Sequence, residues 1–187
     1  GSAWSEGGAM TNARKNSSGS AGTQTAALMY GTSPVSALVE EYNGTGWTEV
    51  NDLNTPRGYG SASSAGTTTA ALCFGGTPSP PGPSAPPGST VNEEYDGTSW
   101  SEKADLNFGR FRATGAGTST AALASGDGNA PEEDKTEAWN GTAWTAVADI
   151  NEGGYAMAGA GTQTAAWLMG GTPPSKRRPG GNSATEH

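Results

Sequence analysis

At 187 residues with a net charge of −8 and a pI near 4.5, the chain lacks the basic face that nucleic acid or an anionic membrane surface requires. Leu, Ile, Val and Phe make up only 16 of the 187 residues, and no apolar run approaches the roughly 18 residues of a membrane span, so an ordinary aliphatic core and membrane insertion are both excluded. A core of Trp, Tyr and Ala is the implied substitute, because each buried ring removes roughly 150 to 250 Å² from water.

The first element along the chain contains GSAW, and Trp4 opens a series: Trp47, Trp100 and Trp144 follow at steps of 43, 53 and 44, each followed by Ser or Thr. A second landmark, AGTQTAAL at 21–28, returns as AGTTTAAL at 65–72, AGTSTAAL at 116–123 and AGTQTAAW at 160–167, at steps of 44, 51 and 44. Two independent landmarks share one period. A period of about 40 to 50 residues points to propeller blades or paired-helix arrays, and the density of Gly, Thr and Ser rules out the helices.

Each unit reads as four short strands, a to d. Runs such as GYGSASSAG form strand a, whose small side chains suit a narrow central channel; TAAL opens strand b, with Ala-Gly expected at the turn between them. A loop of variable length leads to strand c, as in NEEY, and Asn43-Gly44, Asp96-Gly97 and Asn140-Gly141 then predict tight hairpins with positive φ at both central residues before the Trp-bearing strand d. The turn signal also overlaps glycosylation acceptor patterns at Asn43 and Asn140, with a third at Asn16, but Asp96 holds the same place, so the turn is the shared requirement. Cys73, the sole cysteine, lies in AALCFGG and reads as a buried, inert thiol.

Four such units predict an all-β chain: a β-propeller of four four-stranded antiparallel blades at about 9–53, 54–106, 107–150 and 151–187, in a single domain spanning 1–187. The ends are expected to fall inside a blade. Strand d at about 1–8 is expected to complete the blade whose strands a to c come from 151–187 and so close the ring. An open segment of a longer propeller, or two chains joining as eight blades, is the alternative.

Gly75-Gly76 and Gly170-Gly171 after an apolar strand, then Glu41-Tyr42 and Glu94-Tyr95, then Trp five residues on, then Asp52-Leu53-Asn54 with Arg57 and Asp105-Leu106-Asn107 with Arg110, together resemble the Kelch motif over nearly the whole chain. The wording GTQTAAL with EEYNGTGW also resembles Kelch-like tandem repeats of environmental bacteriophage structural proteins. Departures occur: Ser125-Gly126 replaces a glycine pair, Trp139 a tyrosine, and Gly154 an arginine.

Galactose oxidase is similar in its repeat, and that resemblance implies copper held by imidazole and activated tyrosine. This chain has one histidine, His187, so no catalytic residue, metal site or cofactor is expected. Asp52, Asp105 and Asp149, each two residues before an Asn, are candidates for a polar ring at the channel mouth together with Arg14, Arg57 and Arg110. The competing reading makes the Asp-x-Asn pieces turn caps, and the resemblance implies pairing of the arginines with Glu41 or Glu94.

The loops after strand b differ most between units. The second carries Pro80, Pro81 and Pro83, the third Glu132, Glu133 and Asp134, and the fourth Lys176, Arg177 and Arg178. Alternating strand direction puts all of them on one face, where variable loops on a rigid scaffold serve binding. The expectation is a non-enzymatic structural or adhesive module of an extracellular or virion assembly, whose partners are other copies or assembly subunits; a lectin-like domain binding surface glycans is the alternative.

Overall fold

The computed structural model of the chain describes residues 6–15, 19–32, 34–58, 65–78, 88–128, 132–172 and 185–186. Among them there is no α-helix. Four antiparallel sheets follow one another along the chain. The first holds β1 (Gly19–Thr23), β2 (Ala26–Tyr30), β3 (Val39–Tyr42) and β4 (Trp47–Val50). The second holds β5 (Ala65–Thr67), β6 (Ala70–Phe74), β7 (Asn92–Tyr95) and β8 (Trp100–Lys103). In the third are β9 (Thr114–Thr118), β10 (Ala121–Ser125), β11 (Thr136–Trp139) and β12 (Trp144–Ala146). The fourth comprises β13 (Ala158–Thr162), β14 (Ala165–Met169) and β15 (Thr185–Glu186), three strands among the described residues.

Every sheet is a simple meander, and the small-residue strands lie innermost: β1 packs on β5, β5 on β9 and β9 on β13. This is an arrangement consistent with a propeller. The small residues are needed for the close approach. A Cβ on Gly159 in β13 would sit 2.7 Å from the Thr114 hydroxyl of β9 and closer still to the Gly115 carbonyl.

Both hairpins differ from expectation. The turn between β1 and β2 is Gln24-Thr25, not Ala-Gly: Gly22 lies within β1, paired with Ala27, at φ +114°. A side chain there would drive into the Ala26 carbonyl, so the glycine is fixed by strand geometry rather than by the turn. Between β3 and β4 the connection is four residues, 43–46, and only Gly44 has positive φ. The Asn43 side chain instead accepts from the amides of Thr45 and Gly46, both at 3.0 Å, and Asp96 and Asn140 repeat this cap.

The core lies between sheets. Leu28, Tyr30 and Val39 of the first sheet bury against Ala71, Cys73, Tyr95 and Trp100 of the second; Leu72 and Phe74 of the second bury against Ala122, Ala124, Trp139 and Trp144 of the third. Two edge-to-face ring contacts hold these interfaces, Tyr30 on Trp100 at 5.2 Å and Phe74 on Trp144 at 4.7 Å, and the Tyr30 hydroxyl donates to the Leu72 carbonyl at 2.9 Å. Such ring pairs contribute about 0.5–1.5 kcal/mol each beyond the area they bury. Cys73 is fully buried there, and burial pushes its thiol up to about 11, outweighing the nearby Arg57 charge. Between the third and fourth sheets a cleft remains.

The expected closing strand falls largely outside the described residues, since these begin at Glu6. Gly8 runs against the turn before β4, where a Cβ would lie 2.6 Å from the Thr45 carbonyl.

Candidate functional site

The most elaborate polar constellation is repeated three times. Arg14 donates to the Gly31 and Leu38 carbonyls at 3.2 and 2.8 Å and to Glu40 at 3.1 Å. Arg57 donates to the Gly75 and Val91 carbonyls, both at 3.1 Å, and to Glu93. Arg110 donates to the Gly126 and Lys135 carbonyls, both at 2.8 Å, and to Glu137 at 3.1 Å. Each carboxylate also accepts two consecutive amides of the chain that leads into its sheet: Thr11 and Asn12, Asn54 and Thr55, Asn107 and Phe108. Asn54 and Asn107 reach on to the carbonyls of Trp100 and Trp144, at 2.9 and 3.0 Å.

These clasps pin the incoming chain to strands two and three of its sheet. Their side chains are at most 3 % exposed, so every charge must be satisfied internally. Burial raises the Glu40 carboxyl, but the Thr11 and Asn12 amides and the Arg14 guanidinium outweigh it and hold the group below its ordinary value of 4.5.

The arginine partners are a correction by one residue. Glu40 and Glu93 take the arginines, whereas Glu41 and Glu94 do not; Glu94 meets Lys103 at 3.0 Å on the partly exposed side of its strand. Successive strand residues face opposite ways, so in each Glu-Glu pair one carboxylate turns to the clasp and the other away from it.

Arg14, Arg57 and Arg110 are therefore each enclosed in a buried ion pair within a different sheet. Asp52, Asp105 and Asp149 sit exposed on three separate connections: Asp105 accepts from the Thr90 hydroxyl at 3.1 Å and Asp149 meets Lys135 at 2.6 Å. Among the described residues no group of three or more His, Cys, Asp or Glu is placed to hold a metal ion. The Glu132–Asp134 stretch forms a 3-10 turn whose Glu133 and Asp134 carbonyls accept the amides of Gly154 and Ile150. Pro80, Pro81, Pro83, Lys176, Arg177 and Arg178 lie outside the described residues.

Two features escaped the sequence reading. Arg112 stacks between the rings of Phe111 and Tyr155, 5.4 Å from each, on a backbone with φ +59°, and its carbonyl accepts from Ala156, itself at φ +56°. Nothing in the one-dimensional pattern marks a left-handed Arg. The second is a cleft of about 500 Å³ between the third and fourth sheets, lined by Leu123, Ala138, Val147, Ile150, Ala166 and Leu168.

No family model and no curated protein matches this sequence. A solved structure described as that of YjhT is similar in fold, with a TM-score of 0.67 at 12 % identity over 87 % of this chain. The match covers 59 % of that chain, so the present chain spans about three-fifths of its length.

Proposed function

We propose that this chain is a Kelch-like propeller module without enzymatic activity, serving as a structural or adhesive part of an extracellular or virion assembly. Its partners are other protein copies or assembly subunits, met through the variable loops of one face, and its last blade is completed by the N-terminal strand at about 1–8. One observation carries the reading: the recurring arginine–glutamate pairs and Asx turn residues are consumed by architecture. Arg14, Arg57 and Arg110 with Glu40, Glu93 and Glu137 are buried in clasps, and Asn43, Asp96 and Asn140 cap turns.

What the repeats do not share is the set of loops after the second strand. The third is acidic at Glu132, Glu133 and Asp134 and the fourth basic at Lys176, Arg177 and Arg178. Opposite charges on loops of one face suit contacts between copies, where they set register and speed encounter in a salt-dependent way. Replacing Lys176, Arg177 and Arg178 together by Glu is expected to weaken self-association at low salt. Light scattering that shows association and its salt dependence unchanged would exclude this use of the loops.

A further inference from the structure

The connection between the third and fourth strands of a sheet repeats one word with one exchange: Asn43-Gly44-Thr45, Asp96-Gly97-Thr98 and Asn140-Gly141-Thr142. All of these residues are exposed. An asparagine followed by glycine has a reaction open to it that needs no enzyme. The backbone nitrogen of the glycine attacks the asparagine Cγ and gives up its proton to solvent; the bond from Cγ to Nδ2 then breaks and ammonia leaves. The succinimide ring so formed takes up one water at either of its carbonyls, giving aspartate or isoaspartate with no change of oxidation state.

The turn at Asn43 is arranged for the first of these steps. Negative charge gathers on Oδ1 as the nitrogen adds, and that oxygen already accepts from the Thr45 and Gly46 amides, both at 3.0 Å, and from the Thr45 hydroxyl at 2.8 Å. Donors aimed at the atom where charge develops are what an oxyanion hole provides. Among the described residues no hydrogen bond holds Nδ2, the leaving group, or occupies the attacking amide of Gly44. Gly44 sits at φ +95° with no side chain to shield that nitrogen, and the Tyr42 hydroxyl donates to its carbonyl at 3.0 Å.

Asn140 supplies an internal comparison. It has the same two residues after it, and its Oδ1 accepts from the Thr142 and Ala143 amides, both at 2.9 Å, but among the described residues no hydroxyl joins them. Trp139 stands in the place of Tyr42, so no phenol reaches the carbonyl of Gly141. The local sequence predicts equal reactivity at the two sites; the geometry does not.

Asp96 shows that the aspartate product fits. Its Oδ1 accepts from the Thr98 and Ser99 amides, both at 2.8 Å, and the Ser99 amide, then that of Thr98, hold its carboxyl below the ordinary value. Isoaspartate cannot make this cap, because its main chain runs through Cβ and Cγ and the capping oxygen becomes part of the backbone.

We propose that Asn43 is a site of spontaneous deamidation in the folded protein, that it reacts faster than Asn140, and that the Thr45 hydroxyl makes the difference. The aspartate form keeps the turn and adds one negative charge to a chain already at −8. The isoaspartate form loosens the connection between β3 and β4.

The test incubates the full chain in mildly alkaline buffer and follows both asparagines by peptide mapping and mass spectrometry, with a parallel sample in guanidinium chloride. Native Asn43 is expected to convert several-fold faster than Asn140, and the two rates to converge in denaturant. Thr45→Val should slow Asn43 to the rate of Asn140, while Thr45→Ser, which retains a hydroxyl, should keep the faster rate. Equal native rates, an intact Asn43, or a Thr45→Val variant as fast as the parent would each overturn the proposal. A difference that persists in denaturant would overturn it as well, since the cause would then lie in the flanking residues and not in the fold. Asn43→Asp, made directly, is expected to melt with the parent protein; a lowered midpoint would refute the claim that the turn accepts the product.

Discussion

Glu137 and Arg110 have side chains with 0 % exposure, and a change at either leaves its partner charged and enclosed. Glu137→Gln is expected to cost about 3–5 kcal/mol, because the guanidinium loses its counter-charge in a site that water cannot enter. Replacing both partners by apolar residues should cost less than that single change, since no charge is then stranded. Chemical denaturation of the two variants makes the comparison, and a double variant that loses more than Glu137→Gln would show that the carbonyl contacts of Arg110, not its charge pairing, dominate. The arginines were legible in the sequence as recurring letters. Their partners were legible only to within one residue, because EE in VEEY and NEEY does not say which carboxylate faces inward. That choice is made by the register, in which Glu40 pairs with Met29 and Glu93 with Cys73.

At the scale of the strand, the repeated word AGTxTAAL carries its information in the glycine. Gly22, Gly66 and Gly117 all sit at φ between +114° and +116°, and a Cβ at any of them would collide with the carbonyl across the ladder. Gly22→Ala is expected to destabilise by about 1–3 kcal/mol, the usual cost of holding a side chain in that region of backbone space. A thermal midpoint equal to that of the parent protein would show instead that the strand relaxes around the methyl group. Sequence reading found the hairpins but misplaced their turns. Glycine after alanine is a strong turn signal, and here Thr67 pairs with Ala70 around a two-residue turn at Thr68-Thr69 while Gly66 takes its unusual φ one step earlier. The Asn-Gly turns misled for a related reason: the Asx side chain caps a four-residue connection, and a two-residue turn is not needed.

For the whole molecule, the period carried most of what could be read in advance. Two landmarks at matching steps gave the number of sheets, and the Trp series marked the last strand of the first three, at Trp47, Trp100 and Trp144. The cleft was not readable, because it arises from a relation between sheets: Leu123 and Ala138 of the third face Ala166 and Leu168 of the fourth across it. The arginine–aromatic stack at Arg112 likewise joins residues more than forty positions apart, Phe111 and Tyr155, through loop conformations with no local signature.

Gly154 gives the fold a direction of wear. It occupies the position held by Arg14, Arg57 and Arg110 in the other repeats, while Glu186 pairs with Leu168 as Glu137 pairs with Ala124. Three sheets are locked to the chain that enters them; among the described residues no guanidinium does so for the fourth. Opening of the native state should accordingly begin at one end and travel backward, like a row of buttons undone from the last. Amide hydrogen exchange reads this sequence of events directly, with the amides of β14 expected to lose protection before those of β2, β6 and β10, which share its place in the sheet. Simultaneous exchange of all four would mean that the sheets open as one unit, and that the clasps add strength without dividing the molecule into parts that fail in turn.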